Sequence, residues 1–279
     1  MTLIAEPCQI IKPVSVTDGA GVKIKRSIGL NPEYFDPFLM LDEFGSEDKD
    51  DYIAGFPPHP HRGIETVTYM LAGDFEHKDS LGSTGRMCAG DVQWMKTGSG
   101  IIHSEMPLMK EGKLHGFQLW INMPSSLKMS KPEYLYLDAK EINHYSDSEK
   151  SVKVIAGKFE GINGAISNHN VGPVYFDVSL TKSNKFGFPL CSEKNSFVYL
   201  YDGEIKVGHK DNVRVKESTL ITLSEGEVLH IEAFEDAKFL VISGRPINEK
   251  IVRGGPFVMN TREEILEAIQ DYQNGRFIK

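Results

Sequence analysis

The chemistry that this sequence offers is concentrated in two short pairs of metal-ligand residue types. His59 and His61 form the first pair, and His103 and Glu105 form the second. The members of each pair are two positions apart, and residues two apart on a β-strand share a face. Each pair can therefore direct two ligand atoms at one point, and two such strands facing each other across a barrel would complete a site. Imidazole and carboxylate ligands suit iron, manganese, zinc or nickel. The spacing thus predicts one bound metal ion as the centre of function.

The surroundings of the two pairs fit this interpretation. Pro58 and Pro60 stiffen the first segment, and Pro60 also removes a hydrogen-bond donor from the strand. This places the segment at a sheet edge or a barrel mouth, where a ligand cavity would open. The second pair follows a glycine-rich turn at residues 98–100. Either pair alone is about equally well explained as polar surface residues, and the two together favour metal binding.

Short strand-like segments make up most of the chain around these pairs. They are rich in β-branched or aromatic residues and are bounded by Gly, Pro, Asn or Asp. The predicted strands are Val14–Val16, Val22–Ile24, Thr66–Leu71, Val92–Met95, Gly116–Asn122, Val152–Ala156, Val174–Leu180, Phe197–Leu200, Glu204–Val207, Val228–Ala233 and Ala237–Ser243. The long amphipathic helices that a βαβ fold requires are not evident between them. The pattern predicts an all-β barrel or sandwich.

A weak internal repeat refines the prediction. The segment Val67–Gly73 resembles Phe197–Gly203, and a Gly-acidic-Val step follows each of them, at Gly90–Val92 and at Gly226–Val228. Two related β-barrels in tandem explain the repeat. The chance recurrence of turn-and-strand patterns is the alternative explanation.

The two halves differ in their ligand residues. The second half contains no His-x-His pair. Three of its histidines stand singly: His169, His209 and His230. We therefore expect the second barrel to hold no metal. The polar stretch within Pro132–Ser151 is the expected crossing point, which gives a metal-binding barrel at residues 1–133 and a degenerate barrel with a terminal helix at residues 134–279.

One helix is predicted near the end of the chain. Thr261 begins a capping box with the glutamate three positions later, and Gly275 marks the end of the helix. Between them, Ile265, Ile269 and Tyr272 recur at helical spacing. We expect this stripe to be buried against a barrel, with a partner-binding helix as the alternative.

Composition bounds the class of partner. The chain has 279 residues and a formal net charge of −8, and no strong run of Lys or Arg supports direct binding to nucleic acid. Cys8, Cys88 and Cys191 lie far apart, which predicts unpaired thiols in a reducing compartment. Neither a secretory signal nor a stretch of transmembrane length is visible. We expect a cytoplasmic protein that does not bind membranes.

Longer motifs around the ligand pairs resemble a known family. The stretches from Gly55 to Gly73 and from Gly90 to Glu105 look like the two conserved motifs of the cupins. More closely, the chain resembles the pirins, a family with two cupin barrels. The matching segments are Asp36–Phe44, Pro58–Tyr69, Gly90–Met95, Gly100–Pro107, His115–Asn122 and Gly255–Thr261. They are dense in the N-terminal half, and the C-terminal half matches mainly at the last segment.

The resemblance implies a fold and a ligand set. Pirins have two tandem cupin barrels with iron in the N-terminal barrel, and their ligands correspond here to His59, His61, His103 and Glu105. We expect one iron ion per chain, with manganese, nickel and zinc as other candidates. General cupins often use a glutamate at the position of Glu65, whereas pirins use the one at Glu105. We therefore expect Glu65 to support the ligands rather than to bind the metal.

The resemblance also implies an activity. Some pirins resemble flavonol dioxygenases, which open the heterocyclic ring of quercetin with O₂ and release carbon monoxide. In such a site Glu105 would act as the catalytic base toward a flavonol hydroxyl. Phe56, Trp94, Met95 and Met106 are candidate walls for a flat aromatic substrate, with ordinary core packing as the alternative.

Two other functions remain compatible with the same residues. Other pirins are described as iron-dependent regulators that act through protein partners without catalysis. The third function is catalysis on a different small molecule, for which quercetin is a tolerated surrogate. Both need the four ligand residues, so the sequence separates the three functions poorly.

Overall fold

The computed structural model describes residues 2–29, 32–166, 169–210 and 213–279. Strands make up most of this part of the chain, and one α-helix, α1 (Arg262–Gln273), lies near the C-terminus. The predicted all-β fold with a short C-terminal helix is confirmed. Within the described residues, no helix combines the length and the apolar character that a membrane crossing requires.

The strands are short and follow one another through tight turns. In chain order they are β1 (Pro7–Ile11), β2 (Val14–Asp18), β3 (Val22–Ile28), β4 (Phe38–Ser46), β5 (Phe56–His61), β6 (Ile64–Ala72), β7 (Phe75–Asp79), β8 (Thr84–Met87), β9 (Val92–Lys96), β10 (Ile101–Pro107), β11 (Leu114–Asn122), β12 (Glu133–Leu137), β13 (His144–Ser146), β14 (Lys150–Ala156), β15 (Lys158–Phe159), β16 (Ile162–Asn163), β17 (Val174–Leu180), β18 (Lys185–Pro189), β19 (Asn195–Asp202), β20 (Glu204–Val207), β21 (Arg214–Lys216), β22 (Thr219–Leu223), β23 (Val228–Ala233), β24 (Ala237–Gly244), β25 (Val252–Gly254) and β26 (Phe257–Met259). Four short 3₁₀ turns lie at Pro32–Phe35, Lys49–Asp51, Ser125–Leu127 and Ala139–Glu141.

The chain forms two compact units. The first barrel contains Val14–Ala139 and Ile247–Lys279, and the second contains Lys140–Pro246 and the residues up to Pro13. The sequence-based division at residues 1–133 and 134–279 differs, because each terminal segment belongs to the barrel formed by the other half of the sequence. The reason is strand pairing: β1 pairs with β22, and Phe257 forms a bridge with Arg62.

The first barrel is built from two antiparallel sheets. The larger has seven strands in the order β12-β9-β6-β11-β4-β3-β2, and the smaller has four in the order β5-β10-β7-β8. Apolar side chains fill the interior of the barrel at one end, among them Phe44, Met70 and Phe75. Burial of such side chains stabilises each by about 1.5–3 kcal/mol. The smaller sheet carries both predicted ligand pairs, on β5 and β10.

The second barrel repeats this architecture. Its seven-stranded sheet has the order β1-β22-β19-β24-β17-β14-β13, and its four-stranded sheet has the order β18-β23-β20-β21. Strands β6 and β19 occupy the same place in their sheets, so the match between Val67–Gly73 and Phe197–Gly203 reflects a structural repeat. The other proposed match, between the two Gly-acidic-Val steps, is not a structural repeat. Gly90–Val92 leads into β9 of a large sheet, whereas Gly226–Val228 leads into β23 of a small one.

The small sheet of the second barrel faces an apolar interior. Strands β18 and β23 correspond in position to β5 and β10. Their buried side chains are Phe186 and Phe188 on one strand and Leu229, Ile231 and Ala233 on the other, and all five belong to one hydrophobic core. Apolar side chains therefore occupy the positions at which the first barrel carries histidines.

Helix α1 begins as the sequence predicts. Thr261 accepts a hydrogen bond from the backbone N–H of Glu264, and the Glu264 side chain bonds the backbone of Thr261 in return. The predicted buried stripe is partly wrong. Ile265 is buried, but Tyr272 is 42% exposed and Ala268 fills the position between the two isoleucines. The helix packs with its small and branched side chains, and the partly exposed Tyr272 ring contacts Phe277 of the same cluster edge to face at 5.7 Å.

Candidate metal centre

Three histidine side chains converge in the first barrel. His59 and His103 lie directly opposite each other in the β5–β10 pair, and their ring centroids are 4.3 Å apart. The His61 ring lies 4.8 Å from that of His59 and 5.1 Å from that of His103. Ligand nitrogens of the three residues all lie within 4.8 Å of one another. A metal ion with bonds of about 2 Å to nitrogen can bridge two nitrogens about 4 Å apart, which is close to this separation.

The convergence differs in one respect from the sequence-based expectation. The two pairs do not face each other across the barrel. They lie on hydrogen-bonded neighbours in one sheet. Opposite residues in an antiparallel pair have Cβ atoms only about 4.5–5.5 Å apart, so direct pairing brings the imidazoles together. Proline at position 60 is tolerated because β5 is an edge strand of its sheet.

Backbone carbonyls orient two of the imidazoles. His59 Nδ1 lies 2.8 Å from the carbonyl of Pro57, and His61 Nδ1 lies 3.4 Å from the carbonyl of Pro256. Each Nδ1–H donates to its carbonyl, which leaves the lone pair on Nε2 free for a metal. Burial, together with the neighbouring His59, lowers the pKa of His61 to about 3. The His61 imidazole is therefore neutral at physiological pH and can act as a ligand.

His103 provides the strongest structural sign of a metal. Its side chain is buried, and neither ring nitrogen has a hydrogen-bond partner among the described residues. An unsatisfied buried polar group costs about 1–3 kcal/mol, and a metal bond would satisfy one of the nitrogens. Burial and the neighbouring histidines hold the pKa of His103 well below its usual value. Three converging imidazoles with available lone pairs fit a divalent transition metal.

Glu105 shares the inward face of β10 with His103. The two residues oppose His77 and Asp79 on β7 in regular register. The pairing toward β5 shifts between them, so that Glu105 lies opposite Phe56. The Glu105 side chain is buried and lines the same cavity as His59 and His61. Its role as fourth ligand stays a prediction.

Thr68 holds the Glu105 carboxylate. The Thr68 hydroxyl lies 3.1 Å from Glu105 Oε1 and 2.5 Å from the Gln118 amide. A hydroxyl has one proton, and an ionised carboxylate can only accept. Thr68 therefore donates to one of two acceptors at a time, Glu105 Oε1 or Gln118 Oε1. The Thr68 hydroxyl is the neighbour that holds the direction of the Glu105 side chain.

A cavity of about 510 Å³ opens beside the histidines. This volume lies in the range of small-molecule sites. Its apolar lining includes Ile24, Met40, Phe44, Phe56, Phe75 and Trp120. The polar lining includes Asp18, Arg26, Asp42, Thr68, Gln118 and Arg253. The cavity therefore offers an aromatic surface with a charged region in its wall.

Of the residues that the sequence predicted as walls of a substrate cavity, some line the cavity and others lie outside it. Phe56 lines the cavity, whereas Trp94, Met95 and Met106 do not belong to its lining. Trp94 and Met95 are buried, and Met106 is half-buried. Glu65 also lies outside the lining and accepts a 2.6 Å hydrogen bond from Trp94 Nε1.

A break between sheets explains the position of Glu65. Strand parity cannot be counted from His61 to Glu65, because β5 ends at His61 and β6 belongs to the other sheet. The chain turns at Gly63, whose φ is +77°. A Cβ at this position would overlap the carbonyl of Val258, so glycine is required both by the angle and by space.

Sequence reasoning missed a buried group beside His103. His77 on β7 has its ring 5.5 Å from that of His103 and stacks on Tyr134 at 4.8 Å. His77 Nε2 donates to Asp79 at 2.9 Å, and His77 Nδ1 accepts from the Gln93 amide at 2.9 Å. Both nitrogens are therefore in use. The signal was present, because His77 and Asp79 are also two positions apart, but no motif singled them out.

The C-terminal segment completes the surroundings of β5. The carbonyl of Pro256 contacts His61, and Lys128 donates to the carbonyls of Gly63 and Val258 at 2.7 and 2.9 Å. Arg62 is buried and pairs with Asp271 of α1 at 3.0 Å. The segment after residue 246 thus stabilises the strand that carries two of the three histidines.

Comparison with known proteins gives consistent results along the whole chain. The Pirin family model matches residues 21–121, and the model for the Pirin C-terminal cupin domain matches residues 175–278. A pirin-like protein of Caulobacter vibrioides is 44% identical over 96% of this chain and 98% of its own. A Pseudomonas aeruginosa protein that bears the name "putative quercetin 2,3-dioxygenase" is 43% identical over 93% of each chain.

A solved structure shows the same fold. The crystal structure of a quercetin 2,3-dioxygenase from Acinetobacter baumannii superposes with a TM-score of 0.90 at 33% identity, covering 99% of this chain and 100% of that one. The tandem arrangement of two cupin domains is confirmed.

Proposed function

The chain belongs to the pirin family, and on that premise we propose that it is an iron-dependent dioxygenase that opens the flavonol ring of quercetin-type substrates with O₂. The ligands in this proposal are His59, His61, His103 and Glu105. Glu105 is also the catalytic base.

One observation carries the proposal. The convergent histidines of β5 do not lie in closed core but line a cavity whose other walls are largely aromatic. A structural metal site does not need such a cavity. A regulator that acts through its surface does not need one either. A catalytic site needs space beside the metal for a substrate. The names of the relatives in Pseudomonas and Acinetobacter point to the same chemistry.

The protein residues would divide the work as follows. Bound iron supplies a positive charge that lowers the pKa of a flavonol hydroxyl, together with redox chemistry suited to O₂. The Glu105 carboxylate accepts the hydroxyl proton. Thr68 keeps that carboxylate in place by the hydrogen bond described above. Holding the base in a fixed direction avoids its reorganisation during the reaction.

The cavity walls would orient the substrate. Phe56 contacts Phe75 edge to face at 6.4 Å, and Phe44 lies 5.5 Å from Phe75, so the three rings form one surface. The Trp120 ring lies edge to face with His61 at 5.1 Å. A flat aromatic compound packed on these rings would exclude water from the site.

Metal content and turnover on one sample test the proposal. Protein purified without added metal is analysed for iron and then assayed for oxygen-dependent loss of quercetin. We expect iron near one per chain and turnover, with His59→Ala losing iron and Glu105→Ala losing activity. His209→Ala, an exposed histidine of the second barrel, is the matched control. Iron without turnover in the wild-type protein would contradict the dioxygenase and favour the regulatory role.

A further inference from the structure

A row of polar side chains crosses the large sheet of the first barrel. Arg26, Asp42, Gln118 and Thr68 are successive cross-strand partners on β3, β4, β11 and β6. Directly paired residues share a face, and all four line the cavity. Neighbouring strands are about 4.8 Å apart, so the row extends roughly 14 Å from Thr68, beside Glu105, to Arg26. The cavity wall therefore has a second polar region away from the histidines.

Arg26 in this region is already neutralised. Its Nε and Nη2 donate to the two oxygens of Asp42 at 2.8 and 2.7 Å, and Nη2 also donates to Asp18 at 2.8 Å. The hydrogen bonds of Asp42 raise the pKa of the guanidinium well above its usual value, against the opposing effect of burial. A guanidinium held by two carboxylates has little left to offer an anionic ligand.

Arg253 is the other cation in the cavity wall, and its surroundings differ. It lies on β25, is half-buried, and donates from Nη1 to the carbonyl of Gly29 at 3.1 Å. Among the described residues no carboxylate forms an ion pair with it. Burial and the nearby Arg26 lower its pKa from the usual value, although it remains a cation. A guanidinium has five N–H donors, so most of those of Arg253 are available to a ligand.

Trp120 connects Arg253 to the metal centre. The Arg253 guanidinium carbon lies 5.5 Å from the centre of the indole ring, and the same ring lies 5.1 Å from that of His61. The distance from the Arg253 guanidinium carbon to the centre of the His61 ring is therefore at most the sum of these two distances. An aromatic ligand that packs along Trp120 can therefore reach both.

Resting on the proposed function, we propose that the substrate is an elongated aromatic compound with an anionic oxygen group remote from the oxygen that faces the metal, and that Arg253 binds this group. Arg253 is then the residue that selects the substrate by charge, and Trp120 is the surface between the two polar ends. A guanidinium and a carboxylate form paired charge-assisted hydrogen bonds, which a neutral analogue cannot form.

Binding without oxygen tests the inference separately from catalysis. Calorimetric titration under argon compares 3-hydroxyflavone with its 4′-carboxylate on the metal-containing protein. We expect the carboxylate to bind at least tenfold more tightly, about 1.4 kcal/mol. Arg253→Met should remove that preference, so that the two compounds bind with similar affinity. Arg262→Met removes an exposed arginine from α1 and is the control for net charge.

The outcomes are distinct. Equal binding of the two compounds to the wild-type protein, or a preference that survives Arg253→Met, would overturn the inference. If Arg253→Met does not fold, as judged by circular dichroism, Arg253→Gln replaces it with the same expectation. The aerobic quercetin assay on the same preparation decides the dioxygenase proposal independently. A preference for the carboxylate without turnover would therefore contradict the activity and support the assignment of Arg253.

Discussion

The imidazole of His77 lies beside that of His103, with 5.5 Å between the ring centroids, while both nitrogens of His77 are hydrogen-bonded elsewhere. His103 has no hydrogen-bond partner among the described residues. The orientation of His103 must therefore come from packing against its neighbours. His77, fixed by Asp79 and Gln93, is the rigid neighbour on the β7 side.

Replacing His77 should weaken metal binding although His77 is not a ligand. His77→Phe keeps a ring of similar width but loses the bonds to Asp79 and Gln93, so the ring that supports His103 can shift. We expect a 10–100-fold loss of iron affinity, measured by competition with a chelator, the range found for residues that support ligands. His209→Phe in the second barrel should leave the affinity unchanged. Equal affinities of wild type and His77→Phe would show that His103 needs no such support.

Thr68 offers a test of how Glu105 is held. Thr68→Val keeps the shape of the side chain but removes the hydroxyl that donates to the carboxylate. We expect kcat for quercetin to fall by about 10- to 150-fold, since a hydrogen bond to a charged group contributes about 1.5–3 kcal/mol. Thr68→Ser retains the hydroxyl and should restore most of the rate. If the serine variant is as slow as the valine variant, the hydroxyl does not position the base.

Much of this site was predictable, and the failures have physical causes. Residues two apart on a strand share a face, which was enough to group His59 with His61 and to place His103 and Glu105 on one face. The same rule cannot be extended to Glu65, because the turn at Gly63 moves the chain into the other sheet. Parity holds within one strand and cannot be carried across a turn.

Long-range pairing was the other limit. The sequence suggested two barrels, but the grouping of each terminal segment with the barrel of the other half depends on pairings such as β1 with β22. Arg253 was missed for the same reason. It follows the metal-binding motifs by many residues, and only the folded chain brings it to the cavity.

Removing one ligand should empty the metal site without unfolding the protein. In His61→Ala we expect loss of iron with little change in the far-ultraviolet circular dichroism spectrum at room temperature. The reason is that the apolar cores of the two barrels supply most of the stability, and His61 lies on an edge strand. Elemental analysis and spectroscopy on the same sample measure both effects. An unfolded apo-protein at room temperature would show instead that the metal is required for the fold.

Lys128 should make stability depend on pH in the alkaline range. Burial lowers its pKa from 10.5 to about 8. Between these two values the unfolded chain binds more protons than the native protein, so the free energy of unfolding rises with pH through this window. The difference of 2.5 pH units corresponds to at most about 3 kcal/mol, at about 1.36 kcal/mol per unit. Its three oxygen acceptors, on Gly63, Asn122 and Val258, favour the cation and reduce this figure.

Comparison with Lys128→Met isolates this contribution. Tyrosines of the unfolded chain begin to lose their protons near pH 10, so only the difference between the two proteins is informative. We expect urea unfolding between pH 7 and 10 to show wild-type stability rising relative to the variant as the pH increases. A difference that stays constant over this range would mean that the Lys128 pKa is not lowered.

The ion pair between the buried Arg62 and the partly exposed Asp271 should anchor the C-terminal helix. Arg62 is 1% exposed, donates to the carbonyl of Ser99 at 2.6 Å and lies over the Phe277 ring at 4.6 Å. Asp271→Asn removes its carboxylate partner and leaves a buried cation unpaired. We expect a loss of about 2–3 kcal/mol, because breaking one side of a buried pair strands the other charge.

Because Arg62 directly follows His61, loss of the pair should also reach the metal centre. We expect Asp271→Asn to lower the iron content along with the unfolding free energy, measured by urea titration and elemental analysis. Glu267→Gln changes an exposed residue of the same helix and should alter neither quantity. If Asp271→Asn is destabilised but retains full iron, the helix supports the fold of the barrel without influencing the ligands on β5.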